Sequence, residues 1–269
     1  CARAMCAPSN ASAVVTSAGG AGTTALMQWL ASNGVRTNSP HDFDRLKHMR
    51  ADAPRNWMAT NHSNSPIFVV YTRPVWALLI LGSKGWLEDS AFKLGSPVGV
   101  SPSKQTQPSE VARDCMRRTR RAHKSHYLST SNKECSTTRD TRRAPLSAAQ
   151  RCAIEAGLRV LAPLADYDWV GLERHFVGWV QAACAKRRTI VFVDGERLAE
   201  ETDGLAARLG IAPSCQRPLC ARRLPDLDEM QNTPWRGVLE RLNQTHAPLA
   251  ALMQLVRTAP TRTRACDGG

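Results

Sequence analysis

The sequence predicts an α/β fold: a single domain over residues 1–269, with three layers, a mostly parallel sheet and helices on both faces. Three observations carry this expectation. Residues 14–16, 67–71 and 190–193 are short apolar, β-branched runs with no polar face, as strands covered by helices on both sides require. Each run leads into a segment of helical periodicity, the alternation of an α/β domain. The chain has 269 residues, 42% of them hydrophobic, which is enough to bury a full core.

The first strand ends in a glycine turn. Val14, Val15 and Thr16 are followed by Ser17, Ala18, Gly19, Gly20, Ala21, Gly22, Thr23 and Thr24, and then by the apolar helix ALMQWL. Exposed N–H groups at a helix start, with the positive end of its dipole, bind anions. Gly19, Gly20 and Gly22 allow close backbone approach, and Thr23 and Thr24 add hydroxyl donors. The expected guest is a phosphate. The Walker A pattern fails, because it needs glycine at Ser17 and lysine at Thr23. The dinucleotide pattern fits as Gly20, Gly22 and Ala25, but it wants a second strand ending in an acid. The following segment holds Asp42 and Asp44 with no apolar run before them.

A third pattern fits better. Gly22-Thr23-Thr24 and the helix after it resemble the phosphate loop of the sulfotransferases, a family of the P-loop nucleoside triphosphate hydrolase superfamily. The second strand, IFVVY, runs into Thr72-Arg73-Pro74 and the helix VWALLILGSKGW, similar to the sulfotransferase strand, Arg-x-Pro and helix. The third strand runs into Asp194-Gly195-Glu196-Arg197-Leu198, which resembles that family's Tyr-Glu-Asp-Leu helix start, with Gly195 in place of the aromatic residue. DWVGLERHFVGW, beginning at Asp168, is similar to an element of divergent members. The resemblance spans roughly residues 13–95 and 165–211. It implies 3′-phosphoadenylyl sulfate as donor substrate, with Gly19, Gly20, Gly22, Thr23 and Thr24 around its 5′-phosphate and Arg73 and Ser83 offered to its 3′-phosphate. The family carries a basic residue where Gly20 stands and a serine where Ile80 stands, one turn from Ser83. A lysine introduced at Gly20 is accordingly expected to raise transfer.

Sulfuryl transfer needs a base for the acceptor and a cation for the leaving phosphate oxygen. The segment HDFDRLKH after the first helix supplies candidates: His48 or Asp44 as base, and Lys47, or Lys84 further on, as cation. The same charges would also form a solvated face with local pairs. His41, Asp42 and Asp44 lack recognised metal-ligand spacing, and no metal is expected.

The later segments read as scaffold. LSAAQRCAIEAGLRVLAPL is a helix with Ser147 as N-cap. GLERHFVGWVQAACA is another, and the C-terminal helical stretch must break or kink near Pro248.

The net charge of +13 is concentrated. Residues 101–151 carry twelve basic and four acidic side chains, with many Ser and Thr and few apolar residues. Residues 101–146 read as a mobile basic insertion, either solvated or a funnel for a polyanion. Nucleic acid is not an expected partner, since neither interleaved aromatics nor a binding motif is present. The acceptor would be a small molecule or a glycan.

No apolar stretch reaches the length of a membrane span. The nine cysteines include no C-x-x-C pair, and Cys215 and Cys220 are spaced to close a small loop. Sequons at Asn10, Asn61 and Asn243 give the secretory lumen a slight preference over the cytoplasm. Three functions stay open at this point: a sulfotransferase, a non-catalytic nucleotide- or polyanion-binding protein on the same fold, and a dinucleotide oxidoreductase that depends on the Gly20, Gly22 and Ala25 match.

Overall fold

The computed structural model describes residues 11–43, 45–52, 65–95, 148–185, 189–212, 216, 219, 227–230 and 233–258. The 101–146 segment, Ser147, Cys215 and Cys220 lie outside the described residues.

Among the described residues, four parallel strands form one sheet in the order β2-β1-β3-β4. They are β1 (Ser12–Thr16), β2 (Arg36–Thr37), β3 (Ile67–Tyr71) and β4 (Ile190–Asp194). The three expected strands are neighbours: Val14 pairs with Ile67 and Thr16 with Val69, while Ile67 pairs with Ile190 and Tyr71 with Asp194. β2 has only two residues, so it shows no periodicity in the sequence. The buried Asn38 extends it: Val15 N–H donates to Asn38 Oδ1 (2.7 Å), and Asn38 Nδ2 donates to the Val15 carbonyl (3.0 Å). A side-chain amide thus supplies the rung that a longer strand would have made.

The helices are α1 (Thr23–Ser32), α2 (Pro74–Lys84), α3 (Leu87–Lys93), α4 (Ala148–Leu161), α5 (Leu172–Cys184), α6 (Leu198–Arg208), α7 (Arg236–Thr245) and α8 (Ala247–Thr258). Strand residues alternate between two faces. Ala13, Val15, Phe68, Val70 and Val193 pack with Leu26, Leu30, Leu198 and Leu205 of α1 and α6. Val14, Ile67, Val69 and Ile190 pack with Trp179 of α5 and with Leu46 and Met49. Both faces are therefore dry, giving the three-layer α/β architecture. Each fully buried leucine or phenylalanine contributes about 1.5–3 kcal/mol. The C-terminal helical stretch does break: α7 ends at Thr245, and α8 restarts with Pro248 in its first turn.

The strand order fixes where a ligand would lie. From β1 the chain moves to β2 on one side, then crosses back to β3 on the other. In open parallel sheets, the crevice at such a reversal, beyond the carboxyl ends of the strands, is where ligands bind. Here that crevice lies between the glycine loop after β1 and Thr72–Arg73 after β3.

Candidate functional site

The loop between β1 and α1 is built from three glycines with positive φ: Gly19 at 104°, Gly20 at 69° and Gly22 at 85°. Gly22 is the N-cap of α1 and has no side chain to cap the helix. Ser17 Oγ and Thr23 Oγ1 are 2.6 Å apart, and Gly19 N–H donates to Ser17 Oγ (3.1 Å), so Ser17 ties the two ends of the loop together. The next amides behave differently. Among the described residues, the N–H groups of Gly20, Ala21, Gly22, Thr23 and Thr24 donate to no protein acceptor. Five successive unpaired amides at a helix start are the arrangement that can receive an anion.

The segment after β2 folds back over this loop. Ser17 N–H donates to the Lys47 carbonyl (2.9 Å), and His48 Nδ1 lies 3.0 Å from the Ser17 carbonyl. A carbonyl only accepts, so His48 Nδ1 carries the proton and Nε2 holds the lone pair. Burial lowers the His48 pKa, with the Ser17 carbonyl and Asp42 opposing, so the ring is neutral at pH 7. Lys47 Nζ donates to Thr24 Oγ1 (2.9 Å) and to the Pro40 carbonyl (2.7 Å), which places an ammonium at the first turn of α1. Burial lowers the Lys47 pKa, partly offset by Asp42. Asp42 anchors the turn: it accepts Lys47 N–H (3.0 Å) and pairs with Lys93 Nζ (3.0 Å). Asp42 and Arg45 hold positive φ, 61° and 58°, so the turn is conformationally strained beside the loop. Asp44 lies outside the described residues.

Arg73 caps β3 at the other side of the crevice. Glu196 binds it: Arg73 Nε reaches both carboxylate oxygens (3.1 and 2.9 Å), and Arg73 N–H and Thr72 Oγ1 donate to Oε1 (2.8 and 2.9 Å). Burial resists ionisation of Glu196, but the bonds and charge of Arg73, with the Thr72 hydroxyl, outweigh it and hold its pKa below the usual carboxylate value. Two segments of the resemblance, 123 residues apart, thus meet in one ion pair. Ser83 is placed elsewhere. Its hydroxyl donates to the Ile80 carbonyl within α2 (3.0 Å), in the last turn, where α2 packs on α4. Ten residues of helix carry it roughly 15 Å from Arg73. Lys84 sits over the Trp86 ring at the same far end (4.8 Å).

The expectation for a lysine at Gly20 meets a steric obstacle. A Cβ there would lie 2.8 Å from the Ala77 carbonyl oxygen and 3.0 Å from Ala77 Cα, both backbone atoms of α2. With φ at 69° as well, position 20 accepts no side chain. Gly195 makes a similar close approach: a Cβ would stand 2.1 Å from the Ala21 carbonyl oxygen. The loop and the β4 end therefore touch backbone to backbone, so an aromatic residue is excluded at 195.

A buried polar cluster lies below the crevice. Asp194 is fully buried (0%), accepts Glu196 N–H (2.9 Å), and has Arg257 Nη2 of α8 at 2.6 Å from Oδ2. That contact lacks hydrogen-bond direction, and among the described residues neither Asp194 Oδ2 nor Arg257 Nε has a hydrogen-bond partner. Burial raises the Asp194 pKa. Tyr71, opposite Asp194 in the ladder, is pushed to about 12 by burial and the Asp194 charge. His175 is buried, with Nε2 at 3.2 Å from the Met49 carbonyl and 3.3 Å from Trp179 Nε1; burial lowers its pKa to about 4. The crevice retains a cavity of ≈ 20 Å³, lined by Gly19, Ala21, Tyr71, Thr72, His175 and Met253 among others.

Asp168, part of the resemblance, serves α5: its carboxylate accepts the N–H groups of Gly171, Leu172 and Glu173 (3.1, 3.0 and 2.8 Å). Cys152 of α4 and Cys184 of α5 are both disulfide-bonded. Among the described residues, no group of three His, Cys, Asp or Glu side chains is placed to hold a metal ion. No described helix is long and apolar enough to cross a membrane.

Of the candidate residues, Gly19, Gly20, Gly22, Thr23, Thr24, Lys47 and His48 lie together around the start of α1. The sequence does not show that Tyr71 and Asp194, paired in the sheet, meet Met253 and Arg257, which depends on where α8 docks. Compared with known proteins, the chain matches no family model, no curated protein and no solved structure.

Proposed function

We propose that this chain is a sulfotransferase-like protein that moves a sulfuryl group from 3′-phosphoadenylyl sulfate to a hydroxyl or amine of a small-molecule or glycan acceptor. The observation that carries the reading is the row of unpaired amides 20–24 with the Lys47 ammonium at Thr24 Oγ1. Position 20 has no room for a cationic side chain, and Lys47 brings a cation to the same helix start from a different segment. In this reading the donor's 5′-phosphate lies on the amides. The acceptor oxygen or nitrogen attacks sulfur in line, a bond to sulfur forms, and the bond from sulfur to the phosphate oxygen breaks. His48 Nε2 takes the acceptor's proton, and Lys47 offsets the charge that develops on the leaving phosphate. The neutral, Nδ1-protonated state of His48 suits it to this task.

The second reading, a non-catalytic nucleotide or polyanion binder, is favoured by Arg73 and Ser83. One is tied to Glu196 and the other sits in the last turn of α2, so the 3′-phosphate lacks the pair the resemblance implies. The dinucleotide reading loses its acidic ribose ligand: β2 runs into Asn38, whose amide is committed to Val15.

The deciding experiment incubates the full chain with sulfur-labelled donor and a panel of hydroxyl and amine acceptors. Transfer that falls at least tenfold in Lys47→Met supports the enzyme. Binding of the donor product without transfer to any acceptor class supports the second reading.

A further inference from the structure

Helix α8 enters the crevice from the C-terminal part of the chain, and its packing is thin. Of its twelve residues Leu249 alone is buried, while Leu255 is 61% exposed. Leu252, Met253 and Val256 rest half-buried on the core. At the strand ends Met253 and Arg257 carry the contacts, and Arg257 also hydrogen-bonds the Tyr71 side chain. Met253 lines the cavity beside Gly19, Ala21, Tyr71 and Thr72. Arg257 Nη2 lies 2.6 Å from the fully buried Asp194 Oδ2. The remaining cavity, ≈ 20 Å³, holds about one water molecule, whereas nucleotide-sized ligands occupy sites of roughly 300–1,000 Å³.

We infer that α8 is a displaceable strap: latched by Arg257 on Asp194, it closes the crevice at the β1–β3 reversal, and it swings aside when a nucleotide seats there. The latch is built to release. Opening breaks the ion pair, but it also hydrates Asp194 Oδ2 and Arg257 Nε, which are buried without hydrogen-bond partners among the described residues, and so returns part of the loss. What α8 gives up on opening is the ion pair and the contacts of Leu249, Leu252, Met253 and Val256, a small apolar surface for a twelve-residue helix. A ligand that binds only the open form then shifts the population toward it. The identity of the ligand rests on the proposed function; the latch does not.

Hydrogen exchange on the full chain tests this, with Arg257→Gln and Met253→Ala beside the parent. Without ligand, amides 247–258 should exchange about tenfold faster in Arg257→Gln, while β1 and β3 exchange as in the parent. Adding 3′-phosphoadenosine 5′-phosphate to the parent should speed exchange in α8. Both variants should bind that nucleotide about three- to tenfold more tightly, because less free energy goes into opening. Unchanged α8 exchange in Arg257→Gln overturns the latch, whether or not any nucleotide binds. Greater protection of α8 on nucleotide binding also overturns it, since the helix would then be a wall of the filled site. If the nucleotide fails to bind the parent and both variants, the functional reading fails, and the ligand-free exchange still decides the latch.

Discussion

Replacing Gly195 by alanine tests the close approach that sets the loop's position. The added Cβ would sit 2.1 Å from the Ala21 carbonyl oxygen, 3.0 Å from its carbon and 3.1 Å from the Tyr71 oxygen. An ordinary carbon–oxygen contact is about 3.3–3.6 Å, so the loop must retreat by more than ~1 Å. It has little room. Ala21 is flanked by Gly20, which already lies against the Ala77 backbone, and the β4 end is pinned by Gly195 N–H on the Tyr71 carbonyl at 2.7 Å. Overpacking costs about 1–3 kcal/mol, and two backbone segments yield less than side chains, so about 2–3 kcal/mol is expected. Urea unfolding measures this, with Gly204→Ala as control. Position 204 in α6 has no atom within 4 Å of a Cβ, so alanine there should stabilise by about 0.5–1 kcal/mol. Gly195→Ala should also weaken binding of 3′-phosphoadenosine 5′-phosphate at least tenfold, because the amides move. A Gly195→Ala protein with parental stability would refute the close approach. One that is destabilised but binds normally would refute the loop as the anion site.

Thr24→Ala removes one of the two acceptors of Lys47 Nζ and one hydroxyl beside the amides; nucleotide affinity by calorimetry should fall ten- to a hundredfold, about 1.5–3 kcal/mol. Glu196→Gln leaves Arg73 and Thr72 without their shared carboxylate, and urea unfolding should show a loss of about 1.5–3 kcal/mol. His175 gives a pH signature. Its folded pKa of about 4 lies below the ordinary 6.5, so between these values the unfolded chain takes up a proton that the folded chain refuses. Stability is full above pH 6.5 and falls toward pH 4 by about 3 kcal/mol from this group. Denaturation across that window should show the loss in the parent and a shallower slope in His175→Gln.

The strands and most helices were legible because burial on both faces leaves an unbroken apolar signature, as in IFVVY. β2 was not, since two residues carry no period and its third rung is the Asn38 side chain. The glycine loop was legible because positive φ and close backbone packing demand glycine, and the structure adds the reason Gly20 and Gly195 are glycine: Ala77 and Ala21 stand against them. Lys47 and His48 were legible as charges near the loop, but their partners were not. Ser83 was assigned by spacing along the chain, and helix rise places it too far along α2. Arg257 and Met253 were not legible, because periodicity shows which face of a helix is apolar and says nothing about what it will cover.

The most direct measurement is titration calorimetry of the full chain with 3′-phosphoadenosine 5′-phosphate, AMP, ATP and NAD. AMP lacks only the 3′-phosphate, so the pair separates a sulfotransferase-type site from a general phosphate cradle. One site is expected for 3′-phosphoadenosine 5′-phosphate, binding at least tenfold tighter than AMP and weakened by Thr24→Ala and by Lys47→Met. Tighter binding of NAD or ATP, or heat that Thr24→Ala and Lys47→Met leave unchanged, would contradict the proposed function.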